Sequence, residues 1–469
     1  MTFETYQSPY SWRYGSEALR RIWSEHNKRL LWRKIWVALA EAQAEFDLVT
    51  AEQVADLKRQ AGNIDIPRAM EIEAEIHHDL MAEIRAYAEQ CPAGGGIIHL
   101  GATSMDIVDN TDALRVKQSL RLIRPKLAAL ILALLELVET QAETSIIAMT
   151  HIQPAEPSTL GYRFAVYAQD LFTDWDQLAE IDASYAAKGF KGAVGTAAGY
   201  VDLVGAENFN RFEKILSDKL AIPFFPVTTQ TMPRKQDLRL MNALASMGSS
   251  LYKFAFDLRI LQSPPFGEWH EPFREKQVGS SAMPFKRNPI NAEKINSLAR
   301  LLAQYPRIAW DNAAHSLLER TLDDSANRRT HLPEALLIAD ELLIVSKRIV
   351  DGLAIDQEAI RRNLLTYAPF AATERVMLAA VKKGADRQQA HEFIRQHAMS
   401  AWEAVQAGKP NPLTTLVSQD DYLREFLTAD EILALFDATQ HTGIAAERAK
   451  KLVQQAAPLK AWLENFQKE

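Results

Sequence analysis

The stretch Gly279-Ser280-Ser281-Ala282-Met283-Pro284-Phe285-Lys286-Arg287-Asn288-Pro289 concentrates hydroxyls, cations and an amide. Gly279 allows backbone conformations that a Cβ forbids. Pro284 and Pro289 fix φ and discourage a helix before each of them. The stretch therefore reads as a shaped loop. Its hydroxyls, the Lys286 ammonium and free backbone N–H groups can converge on an anion. A plain surface turn has the same composition. Glu293 and Lys294 follow near the start of a helix, where an acid also matches the helix dipole.

Other stretches supply further groups. Met149-Thr150-His151-Ile152-Gln153-Pro154-Ala155 carries an imidazole, that of His151. Pro154 and Pro157 are expected to end one helix and open the next, which holds His151 at a corner. Arg320, Arg328 and Arg329, with Ser325, offer the forked donors that suit a phosphate. Beside Glu319, Asp323 and Asp324 they could instead form a solvated salt-bridge face. The Ser- and Pro-containing stretch 6–14 reads as a loop; its Arg13 and Tyr14 could bind phosphate or snorkel on the surface. His77-His78-Asp79 is placed on a helix striped by Ile72, Ile76 and Leu80. Neighbours on a helix point about 100° apart, so this is a poor metal site. Thr103 and Ser104 end a strand-like connector over 97–104. Gln230 precedes a helix as a cap, a turn residue or a ligand contact. The run 92–96 lacks the Lys-Ser/Thr of a phosphate-binding loop.

Together these stretches resemble the fumarase/aspartase superfamily, whose members eliminate fumarate from a succinyl group. The matches run from about Tyr6 to the region of Glu392. The loop spelling and the 319–329 run are most similar to the branch that acts on succinylated purine nucleotides. That resemblance implies an all-α, fumarase/aspartase-like fold and a homotetramer with active sites shared between subunits. It implies no metal and no organic cofactor. It assigns Ser280 as base and His151 as acid, with Glu293 orienting His151. Lys286 and Asn288 would fix a carboxylate, and His78 becomes a catalytic candidate with His77 and Asp79 beside it. Thr103 and Ser104 would contact the succinyl carboxylate and Gln230 the substrate. Arg13, Tyr14, Arg320, Ser325 and Arg329 would hold the phosphate. The residues alone do not choose between Ser280 and Ser281. Many members carry Arg at the position of His77, and some at that of Lys294; neither His nor Lys supplies the planar fork. A catalytically silent helical scaffold is the rival from another class; the intact Ser280, Lys286, His151 and Glu293 argue against it.

Long elements must position these groups. Apolar residues recur at helical spacing over 113–144, 158–187, 237–262, 291–315 and 333–353. Helices of this length exceed the usual globular size and predict a central bundle. The expected division is an N-terminal helical part over 1–110, the bundle with the signature loop over 111–355, and shorter helices over 356–469. The chain has 469 residues, 53 basic and 60 acidic, for a net charge of -7. That balance speaks against nonspecific nucleic-acid binding. The single Cys91 excludes an internal disulfide and suits a reducing compartment. The longest apolar uncharged run, 127–135, is far below the ~20 residues of a membrane helix. A soluble cytoplasmic protein, with no membrane partner, is expected.

Overall fold

The computed structural model describes residues 4–468 and turns the apolar stripes into helices. No helix among the described residues is long and apolar enough to cross a membrane. The chain forms two compact units. One comprises Met1–Lys126, Asp174–Ser249 and Leu298–Ile344; the other comprises Leu127–Thr173, Ser250–Ser297 and Val345–Glu469.

In the first unit, Ser24 caps the Glu25–Ala44 helix by accepting the Asn27 N–H at 3.1 Å. Leu31, Ile35, Trp36 and Leu39 of that helix are buried. Arg29 and Arg33 are buried too, each 2.8 Å from Glu83. Removing Glu83 would strand two charges away from water. Thr50 and Gln53 form a capping box at the start of the Ala51–Gln60 helix.

Four expectations are corrected. His77-His78-Asp79 is a junction, not part of one helix. The Ile66–Ile76 helix ends on His77 at φ 55°, and His78 opens the Asp79–Gln90 helix by accepting the Met81 N–H. The apolar stripe simply continues across the break. The connector 97–104 is not strand-like: a 3₁₀ turn, Gly95–Ile97, leads through His99 at φ 72° and Gly101 at φ 74° into the Ser104–Thr140 helix. The helix expected over 333–353 begins at Asp323, with Pro333 inside it. Asp323 and Asp324 in its first turn match the dipole, which the proline masked in the sequence. The helix expected over 291–315 is two, Ile290–Leu302 and Tyr305–Ala314, because Pro306 starts a new first turn.

The second unit holds a larger correction. His151 is not at a corner between helices. It lies at the tip of an antiparallel hairpin, Ser145–Thr150 with Gln153–Thr159, in which Thr150 pairs with Gln153. His151 at φ 54° and Ile152 at φ 60° form the two-residue turn that such hairpins favour. Pro154 and Pro157 are tolerated because the ribbon has only edge strands. The hairpin packs against the Gln357–Lys382 helix. That helix and Arg387–Gln406 are long, and the shorter helices expected after 356 begin only with Leu413–Ser418. The terminal stretch forms two helices, Ala445–Gln454 and Ala457–Phe466. Trp269, buried, stacks on Phe164 at 4.7 Å, and its strand Trp269–His270 pairs with Ala354–Ile355.

Candidate active site

In the first unit one cavity of about 530 Å³ gathers most of the sequence candidates for binding. His77, His78 and Asp79 reach it from the helix junction, Thr103 and Ser104 from the start of the Ser104–Thr140 helix. Gln230 reaches it from the loop before the Lys235–Leu261 helix, its N–H donating to the Glu319 carbonyl at 3.2 Å. Arg320 comes from the loop just before the Asp323–Asp351 helix, and Ser325 and Arg329 from its first turns. Two helix N-termini thus open on one space, and their unpaired N–H groups favour anions.

Arginines at this cavity are bound in different ways. Arg329 is exposed, with a nitrogen 3.0 Å from Asp79, which ties the helix junction to the Arg-rich segment. Arg320 reaches Asp324 at 2.8 Å. Arg328 is buried among Asp237 at 2.8 Å, Asp112 at 3.1 Å and Asp109 at 3.5 Å. Arg234 joins Asp109 to Asp324. Burial pushes the Asp324 carboxyl up, but the guanidinium groups of Arg234 and Arg320 outweigh it and hold it below its ordinary range. The segment therefore contains both of the alternatives open in the sequence: a salt-bridge floor and donors facing the cavity. Arg13 and Tyr14 are not among the lining residues. Arg13 is exposed over the Trp12 ring, and Tyr14 packs against Tyr10 at 5.8 Å.

Sequence reasoning missed Asp106. Its buried carboxylate accepts the Thr103 N–H at 3.0 Å and the Tyr200 hydroxyl at 3.1 Å, and pairs with buried Lys188. The Lys191 N–H also donates to it, at 3.2 Å. It fixes where Thr103 sits. The signal was present: Thr103-x-x-Asp106 is half of a capping box. His99 was missed as well. Trp36 Nε1 donates to its Nδ1 at 3.1 Å, and burial drives its imidazole down to about 4. His78 accepts the Met81 N–H on Nδ1 at 3.3 Å, which places its own proton on Nε2.

The second unit carries the remaining candidates. His151 is exposed at the hairpin tip. In the signature loop, the Ser280 Oγ accepts two backbone N–H groups, from Met283 at 3.1 Å and Ala282 at 3.4 Å. Such donors favour charge on that oxygen. Gly279 is required: a Cβ there would meet the Lys286 carbonyl oxygen at 2.2 Å. Asn288 closes the loop by donating to the Gly279 carbonyl at 3.2 Å. Lys286 is exposed on the same loop. Glu293 and Lys294 lie in the first turn of the Ile290–Leu302 helix, and Glu293 lines a cavity of about 320 Å³ with Arg259 and Ser263. Glu271, outside the signature, is buried against that first turn. Burial raises its carboxyl above the ordinary range, opposed by N–H donors from Asn291 and Ala292.

The chain is similar to known proteins in sequence and in fold. Residues 2–302 match the family described as Lyase, and residues 369–456 match that described as Adenylosuccinate lyase C-terminus. The adenylosuccinate lyase of Schistosoma mansoni is 38% identical over 428 residues, 90% of this chain and 88% of that one. The adenylosuccinate lyase of Saccharomyces cerevisiae is 35% identical over 464 residues, 96% of this chain and 95% of that one. In fold, the chain is similar to the 3-carboxy-cis,cis-muconate lactonizing enzyme from Pseudomonas putida. The TM-score is 0.85 over 97% of this chain and 100% of that one, at 23% identity.

Proposed function

The chain belongs to the adenylosuccinate lyase family of carbon–nitrogen lyases, and from that membership we propose how its residues carry out the reaction. The reaction is anti β-elimination of fumarate: adenylosuccinate gives AMP, and the succinylated carboxamide precursor SAICAR gives AICAR, both steps of purine nucleotide biosynthesis. Ser280, as its alkoxide, takes the proton from the carbon beside a carboxylate. That electron pair becomes the new double bond as the carbon–nitrogen bond breaks. His151, oriented by Glu293, gives a proton to the departing nitrogen. One proton is taken and one returned, so the elimination itself calls for neither metal nor organic cofactor. Lys286 and Asn288 neutralise the charge that spreads onto the carboxylate. His78 assists at the succinyl end, with His77 and Asp79 beside it. Thr103 and Ser104 bind the succinyl carboxylate, Gln230 binds the substrate, and Lys294 adds a cation. Arg13, Tyr14, Arg320, Ser325 and Arg329 take the phosphate.

The observation that carries this reading is the cavity of the first unit. It presents anion donors at two places, Thr103 with Ser104 and Arg320 with Ser325 and Arg329. A nucleotide with a phosphate at one end and a dicarboxylate at the other needs such an arrangement. The test is a steady-state assay with purified protein and adenylosuccinate, reading fumarate by ultraviolet absorbance. Release is expected; its absence overturns the assignment. His77 and Lys294 favour a second reading, a related lyase acting on another succinylated amine. Side-by-side turnover decides, and indifference to the phosphate would select that alternative.

The protein acts in the cytoplasm as a homotetramer whose active sites draw on several subunits. Exposed apolar side chains on the helices, among them Tyr162, Val166, Phe256 and Trp310, support an assembly. The functional division remains 1–110, 111–355 and 356–469. A separate buried cluster from Ala372 to Phe436 supports the last of these parts.

A further inference from the structure

On the premise of the lyase reading above, we infer that Glu271 and Gln262 are the fixed base of the catalytic loop. They are positioning residues that hold Ser280 and Glu293 in place from outside the signature run. The loop over 272–290 has little else to hold it. Residues 281–287 are exposed, and its internal ties are local: the Arg274–Gln277 turn, the Ser280 turn, the Lys286 N–H to the Met283 carbonyl, the Asn288 amide and Arg287 over the Phe273 ring at 5.1 Å. Its two ends, in contrast, are joined to each other through one side chain.

Glu271, only 4% exposed, follows directly on the Trp269–His270 strand. Its carboxylate accepts the Asn291 N–H at 3.1 Å, the Asn291 side-chain amide at 3.1 Å and the Ala292 N–H at 3.1 Å. Asn291 and Ala292 open the helix that carries Glu293. The first N–H groups of a helix have no partner within it, and the dipole there favours an anion. Glu271 thus serves as a cap supplied from the far end of the loop rather than from the adjacent residue. Gln262 completes the base. Its side-chain carbonyl accepts the Glu271 N–H at 2.9 Å, and its amide donates to the Arg287 carbonyl at 3.0 Å. One amide therefore grips both ends of the loop. With the ends closed in this way, the tip moves against a fixed frame, and Glu293 keeps its place when it does.

The test uses the full-length protein. Glu271→Gln removes the negative charge from the helix N-terminus and leaves one accepting oxygen where there were two, while nearly preserving volume. Its kcat on adenylosuccinate should fall on the order of ten- to a hundred-fold, as displaced catalytic groups do. KM, thermal midpoint and oligomer mass should stay at their wild-type values. Amide hydrogen exchange should quicken over 272–292. Gln262→Ala should give the same split in milder form. Wild-type kcat in both variants overturns the inference, and so does kcat loss that tracks a fall in thermal midpoint. If the wild-type protein releases no fumarate, the lyase reading fails separately. Hydrogen exchange still decides the base, because unchanged protection in Glu271→Gln removes it.

Discussion

Ser280 and Ser281 are chemically alike, yet only Ser280 has its Oγ beneath the Ala282 and Met283 amides. A serine hydroxyl does not ionise near neutrality unaided, so two oriented donors on its oxygen are a reason to choose it as base. Ser280→Ala and His151→Ala should each abolish fumarate release with the oligomer intact by light scattering. Near-normal turnover in either variant would remove that residue from the mechanism. His99 invites a test of a different kind. Burial lowers its folded imidazole from 6.5 to about 4, so the native state stays neutral where the unfolded chain takes up a proton. Between pH 6.5 and about 4 the unfolded state therefore binds more protons, and stability falls as pH falls through that window. Glutamine at this position keeps an acceptor for the Trp36 N–H and does not titrate. His99→Gln should flatten the decline of thermal midpoint over that range; an unchanged decline would assign it to other groups.

At the level of the element, the hairpin tip stores strain. His151 and Ile152 both sit at positive φ without being glycine, and a β-branched residue resists this most. Ile152→Gly should stabilise the protein by about 1 kcal/mol, read as a rise in thermal midpoint. A fall would mean that the packing of Ile152 outweighs its backbone cost. No feature of the sequence 149–155 spells this turn. Hairpins of this kind are signalled by Asn-Gly or Asp-Gly, and prolines near His151 point instead to helix ends. The long helices were legible because their apolar stripes repeat over many turns. Their boundaries were less so: Pro333 looked like a start and lies inside the Asp323–Asp351 helix. His77 and His78 broke a stripe that continues through them, because a left-handed residue followed by a cap leaves the apolar spacing intact. Candidates carried by a spelled motif, among them Thr103, Ser104, Arg320 and Ser325, share one cavity. Asp106 carried a signal in its Thr103-x-x-Asp106 spacing, whereas Glu271 carried none. Their work is to accept backbone N–H groups, and for Glu271 these come from across a loop that the linear sequence does not close.

For the whole molecule, the decisive question is which chains supply each site. The proposed tetramer builds one site from several subunits, so two crippled subunits can complement each other. Consider His151→Ala and Ser280→Ala, each inactive alone. If a site takes its imidazole and its hydroxyl from different chains, random reassembly leaves some sites with both groups intact. Denaturing the two variants together and refolding them should restore up to roughly a quarter of wild-type sites, since each site independently draws two partners. The recovered activity should scale with the product of the two variants' fractions and peak at equal mixing. Mixing without dissociation should recover far less. If one chain supplies both groups, every site lacks one of them and no mixture turns over. That result would discard the shared site while leaving the elimination chemistry untouched, because the singly substituted proteins report on chemistry and the mixture reports only on where the groups come from.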